Sequence, residues 1–237
     1  MKKLGIIGGL GPMATVYFLQ LLTQMSDASI DQEHMEIYMI SRPSIPDRTG
    51  YILGRNDKSP AEEMIEVGRQ LKSAGAEILT MPCITGHFFL GEIEKAVSIP
   101  VINAVKETVQ YLRSRKIERV GILATDGTIK SGLFQNALRD QKIESIVPDE
   151  NGQRKVMDII YREIKAGRHV DMETFVSVSG DLRQNGAEVI LLACTELSLL
   201  KRDQQIGNGY LDVMEILSAK AVKSCNHLKT EYKELIT

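Results

Sequence analysis

Two cysteines, Cys83 and Cys194, end stretches that match in pattern, LKSAGAEILTMPC at 71–83 and LRQNGAEVILLAC at 182–194, sharing Gly-Ala-Glu and offset by 111 residues. Each thiol follows an apolar run that reads as a buried strand and precedes a helix start, ITGH after Cys83 and TEL after Cys194. Backbone N–H groups and the helix dipole at such a junction favour a thiolate, so both thiols are expected to titrate below the free value of about 8.5. If the two stretches face one another, one thiolate removes a proton from one face of a carbon centre and the opposite thiol returns a proton to the other face. A single activated cysteine would instead suit acyl transfer with a histidine base. His87, four positions after Cys83, could orient or polarise that thiol, but no equivalent histidine follows Cys194, where Glu196 appears instead. Buried cysteine is also common core filling. Repetition of the pair, and the polar Thr85 and Thr195 that follow, argue for chemistry. Cys225 lies in a polar helical segment and reads as a bystander.

A small anionic substrate needs cationic and hydrogen-bonding anchors. Arg48, in the polar IPDRTG loop, suits bidentate contact with a carboxylate, although a loop arginine is also an ordinary solvent-facing charge. Lys165, before Gly167 in EIKAGRH, suits a second carboxylate or simple compensation of a helix C-terminus. Thr125 and Thr128 in ATDGT mirror the glycine turn of the first half and suit an α-carboxylate or a helix cap. That turn, GGLGPMAT, completes neither the GxGxxG nor the Walker pattern. It reads as a tight turn that presents backbone N–H groups to a carboxylate, or as a purely structural one, and Met13 beside it counts among the substrate contacts.

The elements that must position these residues repeat as strand, turn and helix. Strands are expected at 3–7, 35–40, 77–81, near 101–103 and at 119–124, with helices at 13–25, 61–74, 87–97, 105–113 and 132–139. KLGII at 3–7 is echoed by RVGIL at 119–123, and SIPVINAVKE at 98–107 more loosely by GYLDVMEI at 209–216. Two related α/β halves explain the echoes, with a boundary near residues 111–116 and ligands gathering beyond the carboxyl ends of the strands. At 237 residues and 43% hydrophobic content the chain can bury a large aliphatic core, and its net charge of −2 with interleaved bases leaves no footprint for nucleic acid. The three cysteines form no spaced framework and point to a reducing, cytoplasmic setting. The apolar start is broken by glycines and Pro12, which argues against a signal peptide, and no run approaches the roughly 18 apolar residues of a membrane span. Two distant cysteines and four scattered histidines make no short-spacing metal site.

Taken together, MPCITGH, ACTELSLL, GIIGGLGPMAT, IPDRTGYILG and IKAG closely resemble the aspartate/glutamate racemase family over essentially the whole chain, above all its aspartate-acting members. The resemblance implies two pseudo-symmetric, three-layer parallel-sheet domains with the active site in the cleft between them, and commonly a homodimer. The first domain would span 1–112 and be completed by 210–237, the second 113–209. It further implies cofactor-independent racemisation of a small acidic amino acid, aspartate first, with Cys83 and Cys194 as the acid/base pair. Arg48 and Lys165 match the residues used for the substrate side chain and for activation, and residues 83–85 match the segment holding the α-carboxylate. One departure is chemical: the family pattern Cys-Asn-Thr-Ala-His is here broken by Ile84, which has no side-chain amide to donate. Glutamate or broader specificity, a related isomerase of the maleate or hydantoin type, and a non-catalytic small-anion binding module are the alternative readings.

Overall fold

The computed structural model describes residues 1–237. Its strands are β1 (Leu4–Gly8), β2 (Ile37–Ser41), β3 (Ile78–Thr80), β4 (Arg119–Leu123), β5 (Glu144–Ile146), β6 (Val189–Leu192) and β7 (Tyr210–Asp212). The α-helices are α1 (Pro12–Met25), α2 (Arg48–Ile52), α3 (Ala61–Ala74), α4 (Leu90–Val97), α5 (Ala104–Ser114), α6 (Asp126–Lys130), α7 (Leu133–Asp140), α8 (Glu150–Asp158), α9 (Met172–Gln184), α10 (Thr195–Asp203) and α11 (Val213–Cys225). Two wholly parallel sheets form, ordered β2-β1-β3 and β5-β4-β6-β7. The strand expected near 101–103 is reduced to a single parallel bridge from Val101 to Leu79.

Strand alternation splits the core into three layers of apolar contact. Leu4 and Ile6 of β1, with Val120 and Ile122 of β4, point into one central cluster that also takes the buried faces of α1, α5, α7 and α11. Ile7 and Leu79 point the other way, against α3 and α4. Ile190 and Leu192 likewise turn outward in the second sheet, against α8, α9 and α10. The middle helices are therefore shared between the two sheets. The tail divides between the halves: Tyr210–Asp212 pairs with β6 as the edge of the second sheet, and α11 then packs on α1 and α5. The segment carrying Cys225 is buried, and that cysteine is 2% exposed within the central cluster.

The echoed Gly-Ala-Glu has the same structural role in both halves. Gly75 and Gly186 follow α3 and α9 with φ of 113° and 96°, the left-handed turn that glycine enters without steric penalty. Ala76 and Ala187 are buried, and Glu77 and Glu188 cap the start of the neighbouring central strand. Glu77 accepts from Lys3 N at 2.9 Å, and Glu188 accepts from Arg119 N at 2.9 Å. The repeat thus sets strand register, and so fixes where each following cysteine emerges.

Candidate active site

Cys83 and Cys194 emerge just beyond the carboxyl ends of β3 and β6, one from each sheet, and line a single inner cavity. That cavity is nearly closed, with room for about one water, and opens onto a vestibule of about 530 Å³. Leu10, Asp47, Arg48, Lys165 and Glu196 face both spaces. Both cysteines are 5% exposed and neither is bridged.

The anchors expected from the sequence converge here with differences. Arg48 is buried, not solvent-facing: it is the first residue of α2, which Asp47 caps by accepting from Gly50 N at 2.5 Å. Its guanidinium donates to the carbonyls of Ile45, Pro46 and Leu10 at 3.3, 3.1 and 3.0 Å, leaving Nε unpartnered. Burial opposes its charge, but the adjacent Cys83 and Asp47 outweigh that and hold the guanidinium pKa above its ordinary value. Lys165 ends a π-helical turn, Ile159–Ile164, with Nζ 4.3 Å from the Tyr161 ring centroid and 3.7 Å from Glu196 Oε1. Burial opposes its charge too, and Glu196, Cys194 and Tyr161 together raise its pKa.

Thr85, Thr125 and Thr195 line the inner cavity along with Ile84. Thr128 lies behind them and completes a hydroxyl ring, with oxygen separations of 2.9 Å for Thr85–Thr125, 3.0 Å for Thr85–Thr128 and 3.2 Å for Thr125–Thr128. Thr125 also caps α6, its hydroxyl accepting from Thr128 N at 3.3 Å, so the cap expected of it is present. Met13 lines only the vestibule and is 58% exposed. At the glycine turn, a Cβ on Gly9 would sit 2.5 Å from Arg42 N, and one on Gly11 would sit 2.7 Å from Glu196 Oε1. Its glycines make room for the 42–43 backbone and for the protein's own carboxylate. His87 reaches the Cys83 backbone rather than its thiol, with Nδ1 3.0 Å from the carbonyl oxygen, and burial lowers its pKa.

One electrostatic expectation is overturned. Cys194 stands at the N-cap position of α10, yet its pKa lies well above the ordinary thiol value, because burial and then the Glu196 carboxylate outweigh Lys165 and the helix terminus. Its Sγ donates to Glu196 Oε2 at 3.0 Å, which favours the protonated thiol. Tyr161, Asp47 and the contact Glu196 makes with Cys194 stand at the cavity without having been marked by the sequence patterns. Tyr161 donates to Asp47 Oδ1 at 3.3 Å and so ties the halves together across the cavity mouth. The signal for Glu196 was an acid beside a cysteine inside an apolar stretch; Tyr161 carried none, because a π-turn has no sequence period of its own.

The site is thus a thiol pair, two cations and two carboxylates around a hydroxyl ring, suited to moving a proton on a small charged molecule. The Asp/Glu/hydantoin racemase family model matches residues 7–221. Among solved structures, the aspartate racemase of Picrophilus torridus is similar at a TM-score of 0.86 and 32% identity, covering 98% of each chain. A glutamate racemase from Francisella tularensis, solved with D-glutamate, shares the fold at a TM-score of 0.67 and 16% identity, over 94% of this chain and 80% of that one. The broad specificity amino-acid racemase of Bacillus subtilis is 26% identical over 203 residues, 82% of this chain and 86% of its own. A match spanning both sheets and both cysteine-bearing strand ends leaves one assignment: the chain belongs to the Asp/Glu/hydantoin racemase family.

Proposed function

We propose that this protein is a cofactor-independent, two-base amino-acid racemase acting on a small acidic amino acid, with aspartate the preferred substrate. The observation that carries the reading is the convergence of Cys83 and Cys194, one from each half, on a single cavity that also holds Arg48 and Lys165. One sulfur removes the α-proton as thiolate and the other supplies a proton to the opposite face, the roles exchanging with substrate handedness. The Cys194 thiol holds its proton toward Glu196, while Cys83 stands beside the Arg48 guanidinium, so the two sulfurs enter the reaction in different surroundings. The negative charge that develops on the α-carboxylate as the proton leaves falls to the hydroxyls of Thr85, Thr125 and Thr195 and to the N–H groups at the start of α10. Arg48 and Lys165 take the side-chain carboxylate.

An amino acid needs more room than one water, so entry from the vestibule parts contacts such as Tyr161–Asp47 and Lys165–Glu196, and reclosure dries the site. The halves then act as two domains divided near residues 111–116. The resemblance favours a homodimer, and the three unbridged cysteines suit a cytoplasmic setting.

A second reading, racemisation of a wider range of side chains, is favoured by the vestibule, which Leu10, Met13, Ile45, Ile164 and Leu199 make partly apolar, and by Ile84 in place of an amide. The test is incubation with L-aspartate and a panel of other L-amino acids, without cofactor, read by optical rotation. We expect aspartate to racemise fastest and both Cys83→Ala and Cys194→Ala to lose racemisation by at least about a thousandfold. Full activity in either variant rejects the two-base scheme, and a faster neutral substrate selects the second reading.

A further inference from the structure

The inner cavity is lined by two carboxylates that are not equivalent. Asp47 is fully employed, with Oδ2 capping α2 at Gly50 N and Oδ1 accepting from Tyr161. Glu196 is not. Its Oε2 accepts from the Cys194 thiol at 3.0 Å and the Thr195 hydroxyl at 3.4 Å, but Oε1 has only the Lys165 ammonium at 3.7 Å, beyond hydrogen-bond length. Gly11 leaves this same oxygen open toward the vestibule, since a side chain there would begin 2.7 Å away. Glu196 is 4% exposed. A buried carboxylate with an underused oxygen beside a reacting thiol is a site for a hydrogen-bonding cation.

A zwitterionic amino acid brings that cation together with a carboxylate. Lys165 and Glu196 offset each other at a distance of 3.7 Å. When the ligand's ammonium turns to Glu196 and a carboxylate to Lys165, the buried carboxylate and the partly exposed ammonium each exchange a remote partner for a hydrogen-bonded one. A second carboxylate meets Arg48, whose Nε has no partner. The placement also fits the chemistry. The ammonium nitrogen is bonded to the carbon that Cys194 must reach, and the Glu196 carboxylate, whose Oε2 lies 3.0 Å from that sulfur, presents Oε1 beside it.

We propose that Glu196 anchors the α-ammonium group of the substrate, the Lys165–Glu196 pair opening to admit the zwitterion. The inference rests on the racemase reading and adds how that site tells an amino acid from a plain carboxylic acid. Held by Glu196, the nitrogen stays protonated, and its positive charge next to the α-carbon eases removal of the α-proton.

The experiment is calorimetric titration of the full chain with ligand pairs that differ only in the ammonium group: aspartate and succinate, glutamate and glutarate, alanine and propionate. The wild type should prefer the amino acid of a pair by about tenfold or more. Glu196→Gln should erase that preference while leaving succinate within about threefold of its wild-type affinity, and Glu196→Asp should restore part of it. Gly11→Ala, which crowds Oε1 from the opposite side without touching either sulfur, should weaken aspartate more than succinate, and it keeps the test available if Glu196→Gln does not fold. A preference that survives in Glu196→Gln, or a parallel loss of both members of a pair, overturns the assignment. Discrimination confined to the neutral pair overturns the acidic-substrate reading and leaves the anchor standing. Absence of binding by every pair overturns both.

Discussion

Cys83 and Cys194 occupy repeated positions yet meet opposite charges, a guanidinium beside the first and a carboxylate beside the second. The asymmetry gives one proton a resting place without breaking the symmetry of the backbone. It also sets a pH dependence. Because burial and then Glu196 raise the Cys194 pKa, its thiolate appears only as pH rises above the range in which an ordinary thiol, at about 8.5, ionises. Iodoacetamide labelling of Cys194, followed by peptide mapping across pH, should therefore show a midpoint above that of a free thiol. Glu196→Gln should move the midpoint down, and Lys165→Met should move it further up. A wild-type midpoint below that of a free thiol would refute the electrostatic account. At this scale the sequence exposed the thiols, both cations and the threonines, because duplication and residue type mark them. It hid the sign of the Cys194 shift, since a strand-to-helix junction predicts a lowered thiol and only the folded contact with Glu196 reverses it.

Helix ends and short turns aim these side chains. The Gly-Ala-Glu repeat ends α3 and α9 in left-handed turns and pins β1 and β4 through Glu77 and Glu188. The two glycines differ in their surroundings: a Cβ at Gly75 meets Tyr38 Oη at 3.5 Å, ordinary contact, whereas one at Gly186 would lie 2.2 Å from Arg119 Nη1. Gly75→Ala should cost about 1–2 kcal/mol from backbone strain alone. Gly186→Ala should cost more, because Arg119 must also leave Glu144 and the Asn185 carbonyl. Denaturant titration of both variants checks the order, and equal losses would count against a steric role for Arg119. Most long elements were legible from apolar period and punctuation, as Ala61–Ala74 and Pro12–Met25 illustrate. The short α2 and α6 were not, for each is a single capped turn placed by Asp47 or Thr125 rather than by a hydrophobic period. The π-turn that brings Tyr161 and Lys165 together leaves no pattern in sequence either.

Over the whole molecule, one central cluster joins both sheets through α1, α5, α7 and α11, so the cavity walls rest on a common core. The halves touch closely where Gly127 meets Thr49, a Cβ there falling 2.9 Å from the Thr49 Cα, and where Thr85 reaches Thr125 and Thr128. Internal repetition made the two-half plan readable from sequence. The path of the tail, which adds β7 to the second sheet before α11 docks on α1 and α5, depends on long-range packing that no local pattern encodes. Joining a base from one half to an acid from the other is the central claim, and the isotope content of the product tests it most directly. With L-aspartate in deuterated buffer at low conversion, two opposed sulfurs predict that the D-product carries solvent deuterium at the α-carbon while the remaining L-substrate keeps its protium. A D-product that retains the substrate's own proton would show one base working both faces, and would contradict the account.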